Sequence, residues 1–164
     1  MRSVWILGAL CALAGGAQAQ PAPPPTSLLF QESFGVTAPV VVGDTPAGRR
    51  QSVSITGGSF EGPGLKGVVL PGGGDYQLVR PDGSVEIDAE YLLKTDDGVV
   101  IHARHLGTIQ RPAAGGQGYF WSTHNFDAPA GKYGWLNGEV FISHIGVGGG
   151  RDHPTVNITV WKVG

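Results

Sequence analysis

From residue 28 onward the chain alternates. Val85, Ile87, Ala89, Tyr91 and Leu93 interleave with Glu86, Asp88, Glu90, Leu92 and Lys94. Val99, Ile101 and Ala103 interleave with Val100, His102 and Arg104, and Val156, Ile158 and Val160 with Asn157, Thr159 and Trp161. A period of two sends successive side chains to opposite faces of an extended backbone, so each run predicts a strand with two unlike faces. Carried along the chain, this reading predicts nine strands: Leu28–Val36, Ser52–Phe60, Gly67–Leu70, Asp75–Arg80, Val85–Lys94, Val99–Thr108, Gly118–Asp127, Glu139–Ile145 and Thr155–Val163. Turn chemistry separates them. At Pro81-Asp82-Gly83 and Asp96-Asp97-Gly98 the glycine takes positive φ at little cost and an aspartate bonds its own turn. No stretch beyond the N-terminus carries a helix period; one short helix is allowed, without a fixed place. The pattern predicts an all-β fold, a single antiparallel β-barrel of 8–9 strands. A barrel is preferred to a sandwich because it has no edges to guard, and this chain has few edge guards.

The N-terminus changes the setting. Arg2, the apolar run Val4–Ala14 and the small-x-small site Ala17-Gln18-Ala19 predict an export signal cut before Gln20. The apolar run is too short to span a bilayer. Cys11, the one cysteine, lies within it. Leu10 precedes Cys11 where a lipid anchor needs a small residue, so no membrane anchor is expected. The expected organisation is a signal at 1–19, a Pro-rich linker at 20–27 and a barrel domain at 28–164, in a periplasmic or secreted protein. Cleavage removes Arg2 and no acid, taking the net charge of −2 to about −3. That mild acidity, without a Lys/Arg block, argues against nucleic acid as a partner. No cysteine remains for a disulfide or a thiolate-bound metal. The roughly 145 residues left suffice for one domain that buries about two-thirds of its unfolded surface.

Candidate chemistry is sparse. Gly62-Pro63-Gly64-Leu65-Lys66-Gly67 matches G-x-G-x-x-G, but Pro63 lacks an amide and a strand follows, so it reads as a turn. Neither this nor any other motif calls for a cofactor. His102 and His105 fall on opposite strand faces. His124 and His153 read as loop residues, and no metal site is expected. Asn157-Ile158-Thr159 is a sequon inside a strand and is discounted. Two carboxylates stand out: Glu61 and Asp75 each sit where a strand meets a Gly-rich turn. Such junctions aim side chains into a barrel mouth, although an acid there also serves simply to fix the turn. Glu86, Asp88 and Glu90 share one strand face, which reads as solvated. The aromatics read mainly as core, some as pocket wall.

The ordered set Gly48-Arg49-Arg50, Gly57 to Gly67, Pro71-Gly72-Gly73-Gly74-Asp75-Tyr76, Asp88-Ala89, Thr95-Asp96-Asp97-Gly98 and Tyr133-Gly134-Trp135-Leu136-Asn137 resembles the family called domain of unknown function 3237. The resemblance runs from about Leu28 to Val163. It implies an antiparallel barrel of the calycin/allene-oxide-cyclase-like kind, with a central cavity for a small apolar ligand. It puts weight on Glu61, Asp75, Asp88, Trp135 and Asn137. The chain departs from the family pattern at Tyr76, where Trp is common, and at Glu90, where Arg is common. It departs again at Trp121-Ser122-Thr123-His124 and in the Gly-rich segment Ile145–His153.

Three functions remain in view. The first is a cofactor-independent isomerase, cyclase or lyase acting on a small hydrophobic or phenolic molecule. Glu61 or Asp75 would move the proton, and Tyr76, Asp88, Tyr91, Trp135 and Asn137 would contact the ligand. The second is a carrier with the same pocket. The third is an envelope protein whose barrel is filled. Outer strand faces leave a homo-oligomer open in each case.

Overall fold

The structure, a computed structural model, describes residues 22–110, 112, 118–150 and 154–164. The proposed signal, the start of the linker and His153 lie outside the described residues. The strands are β1 (Thr26–Val36), β2 (Val40–Thr45), β3 (Gly48–Gly62), β4 (Leu65–Val69), β5 (Gly74–Val79), β6 (Val85–Thr95), β7 (Val100–Gln110), β8 (Tyr119–Asp127), β9 (Val140–Gly149) and β10 (Pro154–Val163). A short 3₁₀ helix, Gly134–Gly138, joins β8 to β9.

All pairings are antiparallel, and they close a ring. β6 to β10 pair in chain order, β10 pairs β1, and β1 pairs β3. Between β3 and β6 the short strands β5 and β4 lie end to end and share one position. The result is a closed eight-stranded antiparallel barrel, as the alternation predicts. The strand at Val40–Thr45 has no counterpart in the sequence reading. Its Val40-Val41-Val42 run has no period of two, because β2 lies along the edge of β3 beyond the end of β1 and packs neither face.

One local device shapes the interior. Along β3, Val53 and Ile55 face inward, and simple alternation would then bring Ser59 and Glu61 inward. Gly35 of β1 pairs Gly57, but the next residue, Val36, pairs Ile55, so β3 carries one extra residue. Gly57 absorbs this bulge at φ 106°, a region that favours glycine. Past it the faces are exchanged, and Phe60 is buried. Gly58 and Gly62 then face the β1 backbone so closely that a Cβ would strike the carbonyls of Ser33 and Leu29.

The interior is layered along the barrel axis. At one end Phe30, Phe60, Phe126 and Phe141 interlock, with centroids 5.3 Å apart for Phe30 and Phe60 and 5.0 Å for Phe126 and Phe141. Leu136 of the 3₁₀ helix is buried with them. The other end is hollow, with a cavity of about 390 Å³. Thus the barrel is packed solid only in part. Between plug and hollow lies a layer of buried polar side chains: Glu32, Tyr91, His105, Ser122, His124 and Ser143.

Candidate functional site: a hollow barrel end floored by a polar chain

The walls of the hollow are mostly aliphatic: Val53, Ile55, Ile87, Ile145, Val156 and Ile158 project from four strands. Each sits at a position that alternation turns inward. The chain from Thr37 to Pro39, which leaves β1 for β2, also lines it. Polar groups enter the lining at few places. Asp75, Gln77 and Gln51 do so on one side and His105 on another.

Register fixes how Asp75 and His105 stand. Asp75 pairs Ala89, and Ala89 pairs His105. The three lie in one row across β5, β6 and β7, so Asp75 and His105 stand roughly 10 Å apart along the wall. The residue between them carries only a methyl group, which leaves room for a molecule to touch both.

Asp75 is held on two sides. Gln77 Nε2 donates to its Oδ2 at 2.6 Å, and the Asp88 amide donates to its Oδ1 at 3.1 Å. Gln51 Nε2 in turn donates to Gln77 Oε1 at 2.7 Å. Burial raises the Asp75 pKa above its ordinary value of 3.8; the Gln77 and Asp88 hydrogen bonds oppose that rise, and the Asp88 charge adds to it. It is therefore a bonded carboxylate with more affinity for a proton than usual.

His105 belongs to a longer arrangement. Its Nε2 bonds Ser122 Oγ, and Ser122 Oγ bonds Ser143 Oγ at 2.7 Å. Ser143 Oγ bonds His124 Nδ1 at 2.9 Å. His124 Nε2 meets the Tyr91 hydroxyl at 2.9 Å, and that hydroxyl meets Glu32 Oε1 at 2.6 Å. The two imidazoles stack with centroids 4.4 Å apart. Burial pushes the His124 pKa down to about 3. It also pushes His105 well below the usual range, with the neighbouring His124 adding to the effect. Both rings are neutral near pH 7. The 3.4 Å approach of His124 Nε2 to Glu32 Oε1 is therefore not an ion pair.

Glu32 is fully buried, and its Oε2 has no hydrogen-bond partner among the described residues. Burial raises its pKa from 4.5 to about 7, against the lowering effects of the Tyr91 bond and of His105. Burial also drives the Tyr91 hydroxyl far above 10, and the Glu32 carboxylate adds to that rise. Among the described residues no cluster of His, Cys, Asp and Glu is grouped to hold a metal ion.

Set against the sequence expectations, the site is partly relocated. Asp75 lines the hollow. Glu61 does not: the bulge at Gly57 turns it to the outer face of β3, opposite Lys66. Tyr76 alternates outward from Asp75 and is 62% exposed. Asp88 is also outside, where Arg104 Nε and Nη2 donate to its carboxylate at 3.0 Å each; only its amide serves the site. Tyr91 is buried in the polar layer. Trp135 and Asn137 lie at the plugged end, away from the hollow. Trp135 is 45% exposed beside Phe141, and Asn137 clamps the Ala128 backbone through bonds of 2.7 and 2.9 Å. His124, read as a loop residue although the predicted strand Gly118–Asp127 spans it, lies within β8. Glu32, His105, Ser122, His124 and Ser143 are absent from the expected site. Each nonetheless occupies a position whose parity matches buried apolar neighbours, as Glu32 does between Phe30 and Phe34.

The model of a family described as a protein of unknown function, DUF3237, matches residues 24–163. The chain is similar to a UPF0311 protein of Clostridium acetobutylicum, 33% identical over 130 residues that span 69% of this chain and 82% of that relative. It is similar in structure to a beta-barrel like protein of Acinetobacter baumannii, with a TM-score of 0.76 and 32% identity over 88% of this chain and 100% of that one. A protein of Penicillium herquei named as a hydroalkoxylation enzyme is 29% identical over 118 residues, 72% of each chain.

Proposed function

The chain belongs to the DUF3237 family of proteins of unknown function, and we propose that it is an enzyme that binds a small, largely apolar hydroxyl-bearing molecule and moves protons on it. Phenols are the favoured class, since aliphatic walls suit the ring and the few polar groups suit the hydroxyl. The reaction class is addition of O–H across an activated C=C within one molecule, or the reverse elimination. The observation that carries this reading is the row Asp75–Ala89–His105, two proton-handling groups flanking a gap in an apolar hollow. The named activity of the Penicillium relative is of the same type.

The roles follow from the bonding. Asp75, a carboxylate held by Gln77 and the Asp88 amide, accepts the hydroxyl proton. The freed oxygen pair forms the C–O bond, and the π pair of the alkene takes a proton from His105. Nδ1 is the His105 nitrogen assigned to the ligand, because Nε2 is engaged by Ser122. Asp75 returns its proton to His105 through water that enters as product leaves. Residues 1–19, read as an export signal, would place this chemistry outside the cytoplasm, and N-terminal sequencing of the mature protein should then begin at Gln20.

The test is turnover of a panel of phenols carrying a conjugated side-chain alkene, followed as cyclic ether. Asp75→Asn should lose about 10²–10⁴-fold in turnover while still binding the molecule. Binding without turnover in the wild-type protein, with affinity unchanged in Asp75→Asn, would make the barrel a carrier.

A further inference from the structure

We propose that the chain His105–Ser122–Ser143–His124–Tyr91–Glu32 is a reversible proton relay, with Glu32 as the buried store that makes His105 a proton donor to the hollow. The inference rests on the reading that His105 faces the substrate, but its geometry stands independently.

The chemistry of the links carries the argument. Hydroxyls of Ser122, Ser143 and Tyr91 each donate and accept, and a neutral imidazole does one at each nitrogen. No Lys, Arg or amide, which would fix a direction, interrupts the series. Consequently, all five bonds can point either way. With Glu32 ionised, Tyr91 donates to Glu32, His124 Nε2–H to Tyr91, Ser143 to His124 Nδ1, Ser122 to Ser143, and His105 Nε2–H to Ser122. His105 Nδ1 is then bare. With Glu32 protonated every bond reverses, and His105 carries its proton on Nδ1. The two states differ by one proton, and each satisfies the same atoms. The outer pair Arg104–Asp88 and the clamp Asn137–Ala128 lack this property, because their donors cannot become acceptors.

The transfer balances. When the Nδ1 proton leaves for substrate carbon, Ser122 passes its proton to His105 Nε2, Ser143 to Ser122, His124 Nδ1 to Ser143, Tyr91 to His124 Nε2, and Glu32 to Tyr91. In sum the substrate gains one proton and Glu32 loses one; His105, Ser122, Ser143, His124 and Tyr91 each give up one proton and receive another. A neutral imidazole is by itself a very weak acid. Coupled in this way, it donates with the acidity of the Glu32 carboxyl, which titrates at about 7. The orphan Oε2 favours the same balance, because an unpartnered oxygen costs less on a neutral acid than on a carboxylate.

Among the described residues, the titratable groups that face Glu32 are few. Tyr91 comes from β6, His105 from β7 and His124 from β8, while Asp75 from β5 looks into the hollow beyond them. β3, β4, β9 and β10 turn uncharged residues toward this layer, including Phe60, Val69, Ser143 and Ile158.

The test is ¹⁵N NMR of the histidine rings between pH 5 and 9, a measurement that needs no substrate. The relay predicts that His105 and His124 stay neutral and exchange tautomer together near pH 7, from Nδ1–H below to Nε2–H above. Glu32→Gln and Tyr91→Phe should each abolish the exchange, and the second keeps the carboxyl and the ring. Fixed tautomers in the wild-type protein would overturn the relay. So would a His105 that gains a second proton near 6.5, or an exchange that survives Tyr91→Phe. Failure to find a substrate would defeat the proposed reaction and leave this result untouched.

Discussion

Glu32→Gln replaces an ionisable group with a neutral one of nearly the same shape at the waist of the barrel. In the folded protein Glu32 titrates at about 7, against 4.5 for an unperturbed glutamate. A raised folded-state pKa means that the folded state binds the proton more tightly than the unfolded chain does. The stabilisation is therefore fully present below pH 4.5 and is lost as the pH climbs through 7. At about 1.4 kcal/mol per pKa unit, most of the difference falls between pH 5 and 8, where wild type should lose about 2.5 kcal/mol relative to the variant. The comparison with the variant matters. His105 and His124 have lowered pKa values, so their contributions fall as the pH drops, and they oppose the glutamate in the wild-type curve. Subtraction of the Glu32→Gln curve removes most of that background. Urea unfolding of both proteins at several pH values in this range is the assay. A difference that does not change with pH would refute the reasoning, and so would one that favours wild type at high pH, since either would mean that Glu32 is ionised throughout.

Other consequences are simpler. Ala89→Phe should fill the gap between Asp75 and His105 and abolish binding of an apolar fluorescent dye that the wild-type hollow accepts, read by titration. Phe126→Ala, in the aromatic plug, should cost about 3–5 kcal/mol in denaturant unfolding without altering which dye binds. Glu61→Gln, on the outer face, should stay within about 0.5 kcal/mol of wild type and leave dye affinity unchanged. Asn137→Ala removes two bonds to the Ala128 backbone and should cost about 1–3 kcal/mol.

Alternation made the barrel legible, because each strand between β6 and β10 keeps one parity facing the core along most of its length. Reading the site required knowing the parity at every position, and there the sequence is less generous. Glu61 shares its odd parity with Val53 and Ile55; only the extra residue paired across from Gly35 and Val36 shows that the face has changed. A bulge of this kind leaves little mark beyond a glycine in a Gly-rich stretch. Asp75 stands at the start of β5, just past its Gly-rich turn, and no bulge separates it from its pairing with Ala89. Trp135 and Asn137 stand out by residue type, yet they serve a helix that closes the plugged end. The polar layer could have been found. Glu32 lies between Phe30 and Phe34, Ser143 between Phe141 and Ile145, and Ser122 and His124 lead by twos into Phe126. A polar residue at apolar parity is a buried polar residue, and such residues need partners. What no pattern shows is that five strands deliver the layer to one level of the barrel, since that depends on strand register and on closure of β3 against β1.

The proposed reaction requires above all a small molecule that lies over Ala89 in contact with both Asp75 and His105. Native mass spectrometry of the protein purified from its own host, beside Ala89→Phe prepared in the same way, tests this most directly. The prediction is a retained small molecule on the wild-type protein and none on the variant. A protein that is empty after growth under every condition, or a retained molecule that Ala89→Phe does not displace, would contradict it.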